Sequence, residues 1–213
     1  MGLPGGTTQG GPRRDKRHTF FFRALNRLSM DESELIAGLR QGRPGAVAQA
    51  YALHHRAVYA FLLRLCRRVH TAEDLLQETF LRLSRHQTRL HEDTRLLAWL
   101  FTVARNLYRS HLRWSVLDLG RLFDGGDAEL ELAQAHGASP EQVTETRSEL
   151  ARVERAIGQV SPGAREVLLL LGVQQLSPED VQQVLGVSAE ALRQRVSRAR
   201  KELRERLSAT EQP

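Results

Sequence analysis

The sequence predicts an all-α protein of two small helical domains joined by a flexible acidic linker. Three observations predict it. Apolar residues recur every three or four positions in nearly every patterned segment, and strand-like alternation is almost absent. The helical segments fall into two groups, 31–114 and 139–208. Between them the composition changes: from Leu117 to Glu149 eight acids oppose two arginines, and Gly125-Gly126 and His136-Gly137 break any long helix. The part at 115–138 is therefore read as a linker, whose negative charge would repel DNA. A length of 213 residues accommodates two such domains, and the net charge of +6 is unevenly spread.

Residues 1–29 read as a disordered, basic tail. Six basic residues against one acid give the stretch +5. The apolar run Phe20–Phe22 is cut by Arg23, so no signal-peptide core forms. A basic arm touching nucleic acid and a dispensable extension before a true start at Met30 both fit. Asp31 and Glu34 make a capping box for a short helix carrying Leu35, Ile36 and Leu39. Gly42-Arg43-Pro44-Gly45 is a turn. A long helix follows, with Val47, Tyr51, Val58, Phe61, Leu62 and Leu65 inward and His54 and His55 on the surface.

Thr71 is the expected cap of a third helix, TAEDLLQETFLRLSRH, with Ala72, Leu76, Thr79, Phe80 and Leu83 on one side. Asp74, Gln77, Glu78 and Leu81 trace another side, either a solvated acidic face or a docking surface for a basic groove. A polar loop, Arg85–Thr94, leads into RLLAWLFTVARNLYRSHLRW, where Leu96, Leu100, Val103 and Leu107 face the core. Arg105, Arg109 and Arg113 recur every four residues beside Asn106, with Trp99, Tyr108 and Trp114 nearby. Arginines interleaved with aromatic rings suit single-stranded or partly melted nucleic acid. Trp99 is read as core, and the arginine stripe as a nucleic-acid face.

In the second group, Ser139-Pro140-Glu141-Gln142 starts a helix with Val143, Leu150, Val153, Ile157 and Val160 in register. Ser161-Pro162 starts the next, with Val167, Leu168, Leu170 and Leu171 buried. The closing pair is the most strongly punctuated. Ser177 caps a helix with Pro178 at its first position and Asp180 in the capping box, Gly186 permits a left-handed turn, and Ser188 caps the last helix. There Leu192, Val196, Ala199, Leu203 and Leu207 form an apolar stripe, opposite Arg193, Gln194, Ser197, Arg198, Lys201 and Arg204. Two helices joined by a tight glycine turn read as a helix-turn-helix with its second helix in the DNA major groove. A hairpin with a merely solvated charged side is the plainer alternative. Seven basic residues against three acids from Ser188 to Leu207 favour DNA.

Enzymatic chemistry has no carrier. There is no clustered His/Cys/carboxylate set, no glycine-rich phosphate loop and no nucleophile motif, so no catalytic residue, metal or cofactor is assigned. The single Cys66 excludes an intramolecular disulfide and fits a reducing cytoplasm; with His70 alone it makes no zinc site. The longest apolar run, Val167–Val173, is too short to span a bilayer, so no membrane insertion is expected.

Taken together, AEDLLQETFLRL (Ala72–Leu83), AWLFTVARNLYRSHLR (Ala98–Arg113) and REVLLLLGVQQLSPEDVQQVLGVSAEALRQRVSRARKEL (Arg165–Leu203) resemble a bacterial sigma factor of the sigma-70 family, extracytoplasmic-function group. The resemblance covers about Asp31 to Leu207. It implies that 31–114 is sigma region 2 and 139–208 is sigma region 4, with core RNA polymerase and promoter DNA as partners. Asp74, Gln77, Glu78 and Phe80 match the motif that binds polymerase. Arg105, Asn106, Arg109 and Arg113 match positions facing the −10 promoter element, and the Arg85–Thr94 loop falls where such factors capture a flipped base. Arg193, Arg195 and Arg198 match recognition-helix positions for the −35 element, to which the donor pattern adds Gln194, Ser197 and Lys201. An anti-sigma factor is a common partner in the resembled group, although no residue of this chain identifies one.

Departures from the family pattern stand at Ser84 (often Trp), Ser110 (often Asp), Gln182 (usually a small Ala) and Glu190-Ala191 (frequently Gly-Thr). A buried amide at Gln182 would need partners and could loosen the helix pair. An acid at Glu190 suits the helix dipole but opposes phosphates. The function expected is promoter-specific transcription initiation together with core polymerase, including promoter melting. The alternative is a helix-turn-helix regulator acting without core polymerase.

Overall fold

The computed structural model describes residues 32–117 and 144–209. Expectations for the 1–29 tail, the Asp31 cap, the linker beyond residue 117, Val143 and the Ser139–Gln142 helix start lie outside these residues. Every regular element described is helical. Helix α1 (32–40) is followed by α2 (Ala46–Cys66), α3 (Val69–His86), a 3-10 turn (Gln87–Arg89) and α4 (Leu96–Leu117). The second group holds α5 (Thr144–Gln159), α6 (Pro162–Leu168) running into a π-helical turn (Leu169–Val173), α7 (Pro178–Leu185) and α8 (Ala189–Ala209).

The first four helices pack around Leu39, Phe61, Leu62, Leu83, Leu100 and Phe101, all fully buried. Phe61 and Phe101 meet edge to face with centroids 5.0 Å apart, which adds about 1 kcal/mol to the burial of their area. Leu35, Ile36 and Leu39 enter this core as the sequence pattern requires. Tyr51 does not. It stays 43% exposed, stacked on His55 and edge-on to Phe80, while Ala46 and Ala50 take the buried positions of α2. His54 is half-buried rather than a surface residue, and burial lowers its pKa.

One helix start differs from expectation, and another is capped at long range. Helix α3 begins at Val69, two residues before Thr71, because the chain reverses at Arg67 (φ 55°) and Arg68 takes the extended N-cap position. Helix α4 takes its cap from a distance: Glu32 Oε1 of α1 accepts from the Leu96 backbone N–H at 3.1 Å. Such a carboxylate satisfies an orphan donor at the positive end of the helix.

In the second group, Ile157, Val160, Val167, Leu170, Val181, Val184, Leu192 and Ala199 are buried together. Leu150 is 49% exposed, contrary to its place in the apolar register. Leu168 and Leu171 are only half-buried and Leu169 replaces them, because the π turn inserts a residue into the helical repeat and rotates the register. Helix α6 begins after Ser161 as expected, but its cap also comes from a distance. Glu202 of α8 accepts from the Ser161 backbone N–H (2.5 Å) and hydroxyl (2.8 Å).

The two groups pack against each other, and their buried residues form one continuous cluster. Charge fixes their packing as well. Arg64 of α2 has a side chain only 4% exposed, and it donates through Nε (3.0 Å) and Nη2 (2.7 Å) to Glu154 Oε1 of α5. Arg67 Nη1 reaches the Gly158 carbonyl at 3.5 Å. Glu154→Ala should lower the unfolding free energy by about 3 kcal/mol, because it strands a buried guanidinium. Arg64→Met with Glu154→Leu should recover most of that loss in urea unfolding.

Cys66 donates its thiol to Leu62 O at 2.7 Å, and burial pushes its pKa up to about 12. The thiol therefore stays protonated through neutral and mildly alkaline pH. At pH 8 iodoacetamide should label the native chain far more slowly than the urea-unfolded chain, as mass spectrometry would read.

Candidate nucleic-acid interface and docking face

Three helix faces carry the residues singled out from sequence. On α3, Asp74 and Gln77 are exposed and Glu78 is half-buried. Arg82 Nε donates to Glu78 Oε1 at 3.0 Å and Arg85 Nη1 stands 3.8 Å away, so Glu78 is partly neutralised on its C-terminal side. Leu81, 50% exposed, adds an apolar spot beside the acids. Phe80 is 6% exposed and lies beneath this face against Tyr51. It props the acidic face from below rather than forming part of its surface.

On α4 the four expected donors separate into two environments. Asn106 and Arg113 are exposed, and Arg113 Nη2 donates to Ser110 Oγ at 3.1 Å. Ser110, where the family often has Asp, thus still accepts from the arginine three residues on. Arg105 is only 5% exposed. Its Nε donates to Glu166 Oε2 of α6 at 2.8 Å, and its Nη1 donates to the Val184 carbonyl of α7 at 3.3 Å. Arg109, half-exposed, places Nε 3.3 Å from the other oxygen, Glu166 Oε1. Arg95, ahead of the helix, stands 2.9 Å from Asp180 Oδ1 and donates weakly to Ser177 Oγ at 3.4 Å. The Arg95–Asp180 approach is a charge pairing without hydrogen-bond alignment, since Oδ1 accepts no hydrogen bond. Of the aromatics, Tyr108 is buried with its hydroxyl donating to Leu65 O at 3.1 Å, Trp99 packs half-buried on the core, and Trp114 is 72% exposed.

The burial of Arg105 departs from the expectation of a solvent-facing stripe. The physical reason is the second group of helices, which covers this part of α4 with a carboxylate. Glu166 is the residue that sequence reasoning missed. A signal was present: an acid inside the apolar run REVLLLL occupies a position where only a paired charge is tolerated.

The α7–α8 pair is built by local capping. The Asp180 backbone N–H donates to Ser177 Oγ at 3.1 Å, and the Ser177 hydroxyl donates to Asp180 Oδ2 at 2.8 Å. Gly186 adopts φ 64°, letting the Val187 N–H return to Gln182 O at 3.1 Å. The Ala191 N–H donates to Ser188 Oγ at 3.2 Å. Arg193, Gln194, Ser197, Arg198 and Lys201 are all exposed along α8, while Arg195 is half-buried at the edge of the row. Gln182 is not a buried amide. It is half-exposed and donates to Pro178 O at 3.2 Å, so the expected loosening of the helix pair does not arise.

Glu190 engages the row directly. Arg193 donates to it through both Nε (3.1 Å) and Nη2, and Gln194 Nε2 donates to its other oxygen at 3.2 Å. The hydrogen bonds from Arg193 hold its carboxyl below the usual glutamate range. Two donors at the start of α8 are therefore occupied by a neighbouring anion. Among the described residues no group of three or more His, Cys, Asp or Glu side chains could hold a metal ion.

Comparison with known proteins gives this arrangement its relatives. Residues 50–115 match the Sigma-70 region 2 family and residues 150–203 match Sigma-70, region 4. RNA polymerase sigma factor CarQ of Myxococcus xanthus is 34% identical over 173 residues, covering 81% of this chain and 95% of that protein. ECF RNA polymerase sigma factor EcfG of Rhodopseudomonas palustris is 33% identical, covering 68% of this chain and 75% of that protein. Among solved structures, sigma factor RpoE of Bartonella quintana, in complex with the anti-sigma factor NepR, superposes with a TM-score of 0.61. It is 29% identical, covering 77% of this chain and 98% of that one. CnrH in complex with the cytosolic domain of CnrY also gives 0.61, at 25% identity, covering 83% of this chain and 97% of that one. Two family matches in the right order, a relative covered almost end to end, and the likeness to EcfG over three quarters of its length make this chain a member of the extracytoplasmic-function (ECF) group of sigma-70 RNA polymerase sigma factors.

Proposed function

We propose that the chain binds core RNA polymerase through Asp74, Gln77 and Glu78, and directs it to promoters by engaging a −10 element with α4 and a −35 element with α8. The observation that supports this reading best is the separation of roles on one scaffold: an exposed acidic face on α3, and basic donors on two different helices. Phosphates supply most of the affinity, and a few side chains on base edges supply choice. On α8 those are Arg193, Gln194, Arg195, Ser197, Arg198 and Lys201. On α4 they are Arg105, Asn106, Arg109 and Arg113. Melting needs no covalent chemistry, because unstacking is offset by holding the extruded strand and its flipped base. The factor acts in the cytoplasm and catalyses no reaction itself. An anti-sigma partner belongs to the same reading, since the solved relative RpoE is bound to the anti-sigma factor NepR. No described helix is long and apolar enough to cross a membrane.

The decisive experiment mixes the full chain with bacterial core polymerase and sequences the transcripts. Asp74→Lys with Glu78→Lys should cut co-purification with core at least tenfold and abolish transcription, while duplex binding through α8 persists. Transcription undiminished by that reversal would refute the docking assignment.

Glu190→Ala should release Arg193 and Gln194. Duplex affinity should rise several-fold at low salt, and the slope of log K against log salt should steepen by about one for each further phosphate that α8 neutralises. Fluorescence anisotropy across a salt series measures both.

A further inference from the structure

The α4 donors assigned to the −10 element are not equally free. Glu166 is a buried carboxylate, and both of its oxygens are engaged by that row, one by Arg105 and one by Arg109. Val184 O takes a further Arg105 donor, and Ser177 and Asp180 engage Arg95 at the other end of the same interface. A carboxylate held between two guanidinium groups satisfies the donors that a DNA phosphate would otherwise meet. Nucleic acid therefore cannot reach Arg105 while α6 and α7 lie on α4. On α8 no residue of the other helices covers the row: Ser197, Arg198 and Lys201 are exposed, and the acids beside Arg193 and Lys201, Glu190 and Glu205, are exposed residues of α8 itself.

We propose that the closed chain masks itself on one side only: Glu166 stands in for nucleic-acid phosphate and shuts the α4 surface, while the α8 surface stays available to duplex DNA. The inference rests on the −10 reading of α4 given above. It sets an order of events. The recognition helix can meet duplex first, and α4 is released only when the two helical groups part. Glu166 is the latch because it alone joins both arginines. Its loss leaves Arg105 without a counter-charge unless the interface opens to water, so opening is the favoured response.

The test uses the full chain and three measurements. Small-angle scattering reads opening, and anisotropy reads binding to a fork-junction oligonucleotide with a single-stranded A·T-rich arm and to plain duplex. Glu166→Gln should enlarge the radius of gyration and raise fork-junction affinity at least fivefold, with duplex affinity changed less than twofold. Arg105→Gln added to Glu166→Gln should remove the gain. Glu179→Gln, an exposed neutralisation on α7, should produce none of it, which separates unmasking from a simple change in net charge. Arg95→Ala should give a smaller gain in the same direction, and it keeps the test alive if circular dichroism shows that Glu166→Gln fails to fold. If Glu166→Gln folds and stays compact with no gain, the latch is refuted, whereas the proposed function stands if wild type still transcribes with core. If the chain opens and fork-junction affinity does not rise, the masking is refuted together with the −10 assignment of α4. An equal gain in Glu179→Gln also overturns the proposal.

Discussion

Two guanidinium groups are placed where water barely reaches them. Arg64 and Arg105 are each 5% exposed. Desolvating such an ion costs several kcal/mol, and only a well-aligned counter-charge with further hydrogen bonds offsets it. Glu154 and Glu166 supply those counter-charges from the other helical group. The apolar residues along the interface would tolerate a range of sliding positions. The two ion pairs permit essentially one, because each must form at hydrogen-bond distance at the same time.

That constraint links packing to electrostatics along the whole chain. On the acidic face of α3, Asp74 and Gln77 stay in solvent. The α7–α8 pair receives Arg95 and Arg105 from the other group, but its ends are set locally by Ser177, Gly186 and Ser188 through hydrogen bonds within three to five residues. A unit capped in this way keeps its geometry when its neighbours move. The donors of α8 are thus presented by a rigid scaffold, and those of α4 by a surface whose accessibility depends on another part of the molecule.

The sequence made legible most of what was encoded locally, with the Thr71 cap as an exception. The turn at Gly186, the caps at Ser177 and Ser188, the buried faces of α1 and α3 and the exposed row on α8 all follow from spacing and capping chemistry. What it hid was encoded between distant residues. Glu202 capping α6 and Glu32 capping α4 look like ordinary surface acids in one dimension. The shift from Leu168 and Leu171 to Leu169 came from a π turn, which no strict 3.6-residue repeat anticipates. The arginine stripe of α4 has the same period whether it faces a phosphate or a carboxylate, so the pattern could not reveal that Arg105 is covered. The acid inside an apolar run at Glu166 was the one visible sign. Phe80 shows the converse: a motif position matched by residue type but buried beneath the face it belongs to.

The bond from Glu32 to the Leu96 amide bears on where this domain begins. The family match starts at residue 50, yet the first helix contributes both that carboxylate and three fully packed aliphatic side chains, Leu35, Ile36 and Leu39. A fragment trimmed to the match would lose the anchor for the start of α4 and open a hydrophobic trough along its bundle. The working boundary of the first helical group therefore lies upstream of its recognisable signature, at a short helix whose role is architectural.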